Sequence, residues 1–283
     1  MKILVTGGAG FIGTNLIKRL LKEGHQVHSL DNYDSGLIEN EQDGCNYHTG
    51  DTENIVLMDA DFDIVYHLAA LSRIQPSFEN PLETFRVNTE GSLIVADWAK
   101  KYNVKVIYAG SSSRWHDPLQ SPYAAFKYMG EEIFKMYRKV YNLNVEIARF
   151  YNVYGPKEIV DGDWAAVIGI WRRQVRDGEK ITIVGDGEQR RDFTHVHDIV
   201  DALYKIGIGT ESHSDAWELG TGVNYSINEV YQMFKNKFGT KSINIPDQKG
   251  NYRKTLREND DSLLRLGWKP ENRLSSYINN LNL

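Results

Sequence analysis

The chain has 283 residues, and its 33 basic and 38 acidic side chains give a formal net charge of −5. This length can bury a sizeable core in one or two domains. Because no basic run occurs and no apolar run approaches the ~20 residues that cross a bilayer, we expect no nucleic-acid partner and no membrane partner. A single cysteine, Cys45, excludes an intramolecular disulfide.

The first segment of the chain joins a predicted strand to a glycine-rich turn. The apolar run Ile3-Leu4-Val5 predicts a buried strand, and the apolar spacing from Phe11 to Leu21 predicts a helix. Between them, Gly7, Gly10 and Gly13 form a GxxGxxG pattern. Such a turn lets backbone N–H groups approach a pyrophosphate at the helix N-terminus. We expect a dinucleotide-binding turn, with a purely structural glycine turn as the alternative.

A second predicted strand, Gln26 to Leu30, ends in Asp31. Dinucleotide folds place an acidic residue at this point, where it accepts the hydroxyls of the adenosine ribose. A carboxylate would repel the 2′-phosphate of NADP, so Asp31 predicts NAD as the cofactor. A solvated acid at a strand end is the alternative.

Predicted strands and helices alternate through the first half of the chain. Strands are predicted at Asp63 to Leu68, Val104 to Ala109 and Val145 to Phe150, and helices at Pro81 to Lys101 and Pro122 to Tyr141. This alternation is typical of a parallel sheet with helices on both faces. The predicted class is therefore α/β, with a Rossmann-type doubly wound parallel sheet and a smaller C-terminal substrate-binding lobe.

The alternation of predicted strands and helices becomes irregular after Gly155-Pro156, where we expect the boundary between two lobes. Residues 1–155 are predicted to bind NAD and to carry the catalytic residues. For residues 156–283, the family resemblance described below implies that they bind mainly the substrate and return in part to the sheet. Because Met1-Lys2-Ile3 enter the first strand directly, a signal peptide has no room, and we expect a cytoplasmic protein.

The predicted helix at Pro122 to Tyr141 carries a candidate catalytic pair. Tyr123 and Lys127 lie four residues apart, so their side chains share one helix face. A nearby ammonium and a cationic nicotinamide favour the ionised form of a phenol, whose usual pKa is about 10. Ser111 follows the preceding predicted strand, at the edge where ligands bind in such sheets. We expect Tyr123 to take a hydroxyl proton and Ser111 to bridge it to the substrate; a chance spacing is the alternative.

Nine segments of the sequence resemble one known family along nearly the whole chain. They are TGGAGFIG at 6–13, DNYDSG at 31–36, HLAA at 67–70, VNTEGSL at 87–93, YAGSSS at 108–113, SPYAAFK at 121–127, RFYNVYGP at 149–156, GDGEQRRDFTHVHDIV at 185–200 and LGWKP at 266–270. Together they resemble the extended short-chain dehydrogenase/reductases, and within these the nucleotide-sugar epimerases and dehydratases.

The resemblance implies NAD as cofactor, a nucleotide-diphosphate sugar as partner, and a homodimer. It implies catalytic roles for Ser111, Tyr123 and Lys127. The implied cofactor-binding residues are Gly7, Gly10, Phe11, Ile12, Gly13, Asp31, Asn32, Ser35, Asp51, Thr52, Leu68, Ala69, Ala70, Asn88, Tyr123, Lys127 and Tyr151. The implied substrate-binding residues are Ser72, Arg73, Ser111, Asn152, Val167, Arg191 and Arg253. For the last two, which resemble arginines that clamp a diphosphate, a surface salt bridge is the alternative.

The sequence departs from the family pattern in two places. Ser111 and Tyr123 lie only 12 positions apart, whereas most relatives insert a longer loop over the sugar. The residues Arg114-Trp115-His116 stand there instead, which leaves the hexose pocket either more open or rebuilt by Trp115 and His116. Arg73 replaces a small or apolar residue; it either binds an acidic sugar or is a solvent-exposed loop arginine, and we expect the latter.

The resemblance implies an isomerase, an NAD-dependent 4-epimerase that inverts C4 of a UDP-linked hexose through a 4-keto intermediate. The alternatives are a nucleotide-sugar 4,6-dehydratase, a nucleotide-uronate decarboxylase and, in another class, a non-catalytic NAD-binding regulator. In the dehydratases an Asp-Glu pair follows the catalytic residue, whereas Ser112 and Ser113 stand here. No metal is expected, because His195 and His197 lack a third ligand at a recognisable spacing.

Overall fold

A computed structural model describes residues 1–283. Its strands form three sheets, of seven, three and two strands. The strands are β1 (Lys2–Thr6), β2 (Gln26–Asp31), β3 (Cys45–Thr49), β4 (Ile64–His67), β5 (Lys105–Ser111), β6 (Val145–Phe150), β7 (Asn152–Tyr154), β8 (Ile181–Val184), β9 (Arg190–His195), β10 (Trp217–Leu219), β11 (Asn224–Ser226) and β12 (Ser242–Ile245).

Ten α-helices connect and cover these strands. They are α1 (Phe11–Lys22), α2 (Ile74–Glu79), α3 (Pro81–Phe85), α4 (Gly91–Tyr102), α5 (Pro122–Tyr141), α6 (Val167–Arg176), α7 (Val196–Ile208), α8 (Ile227–Phe238), α9 (Asp261–Leu266) and α10 (Leu274–Asn279).

The two long helices predicted from the sequence have different outcomes. Helix α5 has the predicted bounds, because the Ser121 hydroxyl accepts the backbone N–H of Ala124 and Pro122 occupies the first turn. The helix predicted over 81–101 is also present, as helical structure that runs from Pro81 to Tyr102, but it is not a single α-helix. A π-helical turn, Arg86–Glu90, separates α3 from α4. Apolar periodicity does not register the extra residue of such a turn.

The large sheet has the order β10-β6-β5-β4-β1-β2-β3, and every neighbouring pair is parallel. The chain leaves β1 toward β2 and β3, then returns to β4 and continues in the opposite direction. Ligands bind at the carboxyl ends of the strands where the order reverses, which here are β1 and β4. This topology confirms the predicted Rossmann-type α/β fold.

Separate apolar cores fix the sheet on its two faces. Leu16 and Leu20 of α1 pack with Leu203 of α7 on one face, and Val95 of α4 packs with Phe134 of α5 on the other. A third core lies outside the large sheet and includes Trp171, Phe234 and Ile278. Because each core is continuous with buried strand residues, the carboxyl ends of the strands are held in fixed positions.

The C-terminal half contributes to more than one sheet. Strand β10 pairs with β6 at the edge of the large sheet. Strands β7, β9 and β11 form the three-stranded sheet, and β8 pairs with β12. No bounds were predicted for these short strands or for β3. No helix of the structure is both long and apolar enough to span a membrane.

Candidate active site

The phenol of Tyr123 lies beside Ser111 at the carboxyl end of β5. Its hydroxyl donates a hydrogen bond to Ser111 Oγ at 3.4 Å. Ser111 is the last residue of β5, two residues beyond the predicted end of that strand. Tyr123 lies in the first turn of α5, and its backbone N–H donates to Ser77 Oγ of α2 at 3.1 Å. The structure therefore brings the predicted Ser-Tyr pair together and fixes it from three elements.

Lys127 lies one turn further along α5 and is buried. Its ammonium donates to the carbonyl of Ala109 at 2.7 Å and lies 4.4 Å from the centre of the Tyr108 ring. Burial lowers the pKa of Lys127 to about 7, and the nearby carboxylate of Glu131 opposes that shift. The group can therefore exist in either charge state near neutral pH.

The electrostatic surroundings of the Tyr123 phenol involve a second cation. Burial raises its pKa, whereas the hydrogen bond to Ser111 and the charge of Arg73 lower it. Lys127 is held by the Ala109 carbonyl, and Arg73 is the basic side chain that acts on the phenol in this structure.

The glycine turn leaves the N-terminus of α1 open to an anion. Gly7 has a φ of +73°, and a Cβ there would lie 2.8 Å from the backbone N of Ala69. A Cβ at Gly13 would collide with the carbonyl of Gly7. Gly10 is the N-cap, with no side-chain cap and no acidic residue in the first turn. The free N–H groups at this terminus can therefore receive a phosphate.

Asp31 is tied to the glycine turn. Its Oδ2 accepts the backbone N–H of Ala9 at 2.9 Å, and its Oδ1 accepts that of Tyr33 at 2.8 Å. Burial raises the pKa of Asp31, while these backbone bonds lower it. The side chain is buried, so the alternative of a solvated strand-end acid was wrong. Lone pairs remain on both oxygens for a ribose hydroxyl.

The other implied cofactor residues line the same edge of the sheet. The Asn88 amide bonds both backbone groups of Leu71, at 2.8 and 2.9 Å, and so holds the segment after β4. Asn32 donates to Asp51 Oδ1 at 2.8 Å. Phe11 and Ile12 are the first residues of α1, and Ser35 lies in the bend after β2. Thr52 is buried at the start of a 3-10 turn. Leu68, Ala69 and Ala70 directly follow β4.

Sequence reasoning missed a buried ionic cluster behind Tyr151. The Tyr151 hydroxyl donates to Glu218 Oε2 at 2.7 Å. The other oxygen of Glu218 accepts from Arg149 at 2.7 Å, and Arg149 makes two further bonds to Glu131 of α5. A charged residue at a predicted central strand position, Arg149, was the one available signal.

The two arginines implied for the diphosphate differ in their surroundings. Arg191 donates to Asn251 Oδ1 at 2.5 Å and to the Arg190 carbonyl at 3.0 Å, and has no carboxylate partner. Burial lowers the pKa of Arg191 to about 10. The Arg253 side chain is 65% exposed and bonds both oxygens of Asp186, at 3.0 and 3.1 Å. Arg253 thus has the surface salt bridge that the sequence offered as the alternative.

Other implied substrate residues have structural contacts. The Asn152 amide donates to the Asp192 carbonyl and to Thr255 Oγ1, both at 3.0 Å. Val167 is the first residue of α6 and packs against the third core. Ser72 is exposed beside Arg73.

Arg73 is not the exposed loop residue that we expected. It is partly buried, and its Nε donates to the Trp164 carbonyl at 2.8 Å. Nη1 donates to the carbonyl of Ser72 at 3.0 Å. The chain around residue 164 folds back over the segment after β4, a long-range contact that no local pattern predicts.

The short segment after Ser111 contacts the C-terminal half of the chain. His116 stacks on Tyr252, with ring centres 3.9 Å apart and an angle of 8° between the rings. The Trp115 indole donates to Glu218 Oε2 at 3.2 Å, although the side chain is 59% exposed. Arg114 lies over the Tyr128 ring and pairs with Glu132.

The two histidines considered as metal ligands lie at a helix start. His195 is the N-cap of α7, and its Nδ1 accepts the backbone N–H of His197 at 3.3 Å. This local bond gives His195 a structural contact at the boundary between β9 and α7.

Similarity to known proteins agrees with this fold. Residues 3–220 match the NAD dependent epimerase/dehydratase family. A UDP-glucose 4-epimerase of Mycolicibacterium smegmatis is 32% identical, over 98% of this chain and 96% of that protein. A UDP-glucuronic acid decarboxylase 1 of Xenopus tropicalis is 27% identical, over 98% of this chain and 70% of that protein. The solved UDP-glucose 4-epimerase of Thermotoga maritima, with UDP-glucose, has a TM-score of 0.91 and 29% identity, over 99% of this chain and 96% of that chain.

The fold and the similarity together define an NAD-dependent enzyme of the Rossmann type. The chain belongs to the NAD dependent epimerase/dehydratase family, within the extended short-chain dehydrogenase/reductases. The residues present fit that cofactor: the glycine turn has no room for side chains, the N-terminus of α1 is uncapped, and Asp31 lies at the end of β2.

Proposed function

We propose that the enzyme inverts C4 of a UDP-linked hexose, with Tyr123 as the acid-base residue. The observation that carries this proposal is the Tyr123–Ser111 hydrogen bond at 3.4 Å, in a site where Ser112 and Ser113 occupy the next two positions. Similarity to named UDP-glucose 4-epimerases supports the substrate class.

Each of the three catalytic side chains has a separate task. Tyr123 takes the proton from the 4-hydroxyl of the sugar, and Ser111 holds that oxygen in place. Lys127, one helical turn away, binds the cofactor ribose and adds positive charge. When bound, NAD supplies a reversible hydride acceptor. Tyr123 returns the proton to O4 once the sugar has turned, so the product is an epimer with no net oxidation.

The residues after Ser111 favour epimerisation over dehydration. Loss of water across C5 and C6 requires a group that protonates the leaving hydroxyl and a base that takes the C5 proton. Ser112 and Ser113 carry only hydroxyls, which do neither task well at neutral pH. The backbone N–H of Ser113 also donates to Ser111 Oγ at 3.2 Å, which gives this segment a positioning role.

We assign the diphosphate of the substrate to Arg191. Its guanidinium lacks a carboxylate partner and is largely desolvated. A bidentate guanidinium contact to phosphate holds the nucleotide while the sugar is free to turn. Arg253 would join it only after separating from Asp186.

Incubation of the purified enzyme with UDP-glucose, without added NADH, tests the proposed reaction. The expected product is the C4 epimer at unchanged mass. Loss of one water in the mass spectrum would establish a dehydratase instead. With UDP-glucuronic acid as substrate, loss of carbon dioxide would establish a decarboxylase.

The homodimer implied by the resemblance is supported by an apolar surface on α3, α4 and α5. Met129, Met136 and Val140 share one face of α5 and are 40–59% exposed. Leu82, Phe85 and Leu93 are exposed on α3 and α4. We infer that these helices pair with the same helices of a second copy, since exposed apolar patches of this kind mark interfaces.

Sedimentation of a Met136→Glu variant tests the dimer. We expect a monomer, whereas Leu264→Glu, on a more exposed apolar residue of α9, should leave the association unchanged. A wild-type chain that sediments as a monomer contradicts the inference. The lobe boundary between residues 155 and 156 and the cytoplasmic location stay predictions.

A further inference from the structure

The arginines of the chain fall into two groups by their partners. Twelve of the fifteen lie within 4.0 Å of a carboxylate oxygen. The other three are Arg73, Arg138 and Arg191. Arg138 donates to the carbonyls of residues 213–215 and so ties α5 to the start of β10. Arg73 and Arg191 are the two arginines at the candidate active site that lack a carboxylate partner.

Arg73 is held rigidly without being neutralised. Its Nε and Nη1 donate to the carbonyls of Trp164 and Ser72, which fix the plane of the guanidinium but carry no net charge. Nη2 makes neither of these bonds and has no other hydrogen-bond partner in the protein. Arg73 is also the N-cap residue of α2, the helix whose Ser77 accepts the backbone N–H of Tyr123. The cation is therefore anchored to the same helix contact that positions the reacting phenol.

The groups around Arg73 do not supply a counterion. The charged states of Tyr123 and Glu158 both act on its guanidinium. The carboxylate of Glu158 is already bonded to Arg172 at 2.9 Å and to the Tyr277 hydroxyl at 3.1 Å. Tyr123 carries a negative charge only as the phenolate that takes the substrate proton, and burial raises the pKa of its hydroxyl and so favours the neutral phenol. A partly desolvated cation with free donors favours an anion that arrives with the substrate.

We propose that Arg73 binds a carboxylate on the hexose, so that the preferred substrate of this enzyme is a UDP-linked uronic acid. The inference rests on the proposed function, in which Tyr123 receives the 4-hydroxyl of the sugar. A carboxylate at C6 is attached to C5, the carbon next to C4. Because Arg73 caps α2, whose Ser77 accepts the backbone N–H of Tyr123 at 3.1 Å, its guanidinium is placed for a group on that part of the ring, while Arg191 remains for the diphosphate.

Steady-state kinetics with UDP-glucuronic acid and UDP-glucose test this inference. We expect the wild-type enzyme to prefer the acid in kcat/KM by about 10- to 100-fold, the range of a charge-assisted hydrogen bond. Arg73→Gln should lower kcat/KM for the acid, mainly through KM, by about 10- to 100-fold more than kcat/KM for UDP-glucose, whose own smaller loss reflects the charge that Arg73 exerts on the Tyr123 phenol. Arg73→Lys keeps the positive charge but loses the planar guanidinium, so its kcat/KM for UDP-glucuronic acid should lie between the values of the wild type and Arg73→Gln. Arg176→Gln, on an exposed arginine, is the matched control and should leave kcat/KM unchanged for both substrates.

Three results separate this inference from the proposed reaction. An equal loss on both substrates in Arg73→Gln, with a displaced pH profile, would overturn the inference and assign Arg73 to the pKa of Tyr123. Arg73-dependent turnover of UDP-glucuronic acid with loss of carbon dioxide would support the inference and overturn the proposed epimerisation. If neither substrate turns over, the proposed function fails; calorimetric binding then decides the inference, which requires Arg73→Gln to weaken UDP-glucuronic acid but not UDP-glucose.

Discussion

The Tyr151 hydroxyl donates a hydrogen bond to Glu218 Oε2 at 2.7 Å and so joins the end of β6 to β10, across 67 positions of sequence. Through its other oxygen Glu218 reaches Arg149, which in turn bonds Glu131 of α5. The helix that carries Tyr123 and Lys127 is thus tied to the C-terminal half by buried charges. Tyr151, one of the implied cofactor-binding residues, is therefore held by a strand that follows it by more than sixty positions.

The variant Glu218→Gln tests how much this buried ionic cluster contributes to the stability of the fold. Removing one partner of a buried ionic cluster leaves Arg149 under-compensated, and we expect a loss of about 2–4 kcal/mol in the free energy of unfolding. Urea denaturation measures it. Glu258→Gln, on a 77% exposed residue, is the control and should stay within about 0.5 kcal/mol. Equal stability of the two variants would show that the cluster is energetically neutral.

Tyr123→Phe removes only the phenolic oxygen that bonds Ser111. We expect folding and NAD binding to persist and turnover to fall by about 10²- to 10⁴-fold, the usual contribution of a general acid-base group. Tyr141→Phe, at the exposed end of the same helix, serves as control. Near wild-type turnover in Tyr123→Phe would remove this residue from the chemistry.

The features of this structure that could be predicted from the sequence are those determined by residues close together in the chain. Helix α5 has its predicted bounds because Ser121 and Pro122 specify its start within four residues. The parallel sheet follows from short apolar runs separated by helices. The contacts of Glu218 with Trp115 and of the Trp164 carbonyl with Arg73 could not be predicted from the sequence. Both form because segments far apart in the chain pack together at the site. Arg253 was assigned to the substrate diphosphate from its position in the family pattern. Its ion pair with Asp186 could not be predicted, because Asp186 lies 67 positions away in the sequence.

Selectivity for NAD over NADP should depend on Asp31. A 2′-phosphate would meet this carboxylate at close range, so the unmodified enzyme is expected to prefer NAD. Asp31→Ala should narrow the ratio of the two dissociation constants by at least about tenfold, measured by calorimetry on cofactor-stripped protein. Asp34→Ala, on an exposed acid three residues later, should leave the ratio unchanged. Equal or tighter NADP binding by the wild type would refute the assignment.

The lowered pKa of Lys127 makes the stability of the cofactor-free enzyme pH-dependent. Its pKa is about 7 in the folded state and 10.5 in the reference state, so the unfolded chain binds more protons between these values. Native stability therefore rises with pH across this window. Relative to Lys127→Met, the wild type should gain about 1 kcal/mol per pH unit from pH 7 to pH 9 in urea denaturation. Parallel stability curves for the two proteins would show that Lys127 keeps an ordinary pKa.

The fate of the hydrogen at C4 tests the central claim most directly. A UDP-hexose labelled with deuterium at C4 is incubated with the enzyme in ordinary water, without added NADH, and the product is analysed by mass spectrometry and proton NMR. Because the hydride that leaves C4 is returned to C4, the account predicts an epimer of unchanged mass with the deuterium retained at that carbon. A product that has lost water and carries deuterium at C6, or one whose label has exchanged with solvent, would contradict it.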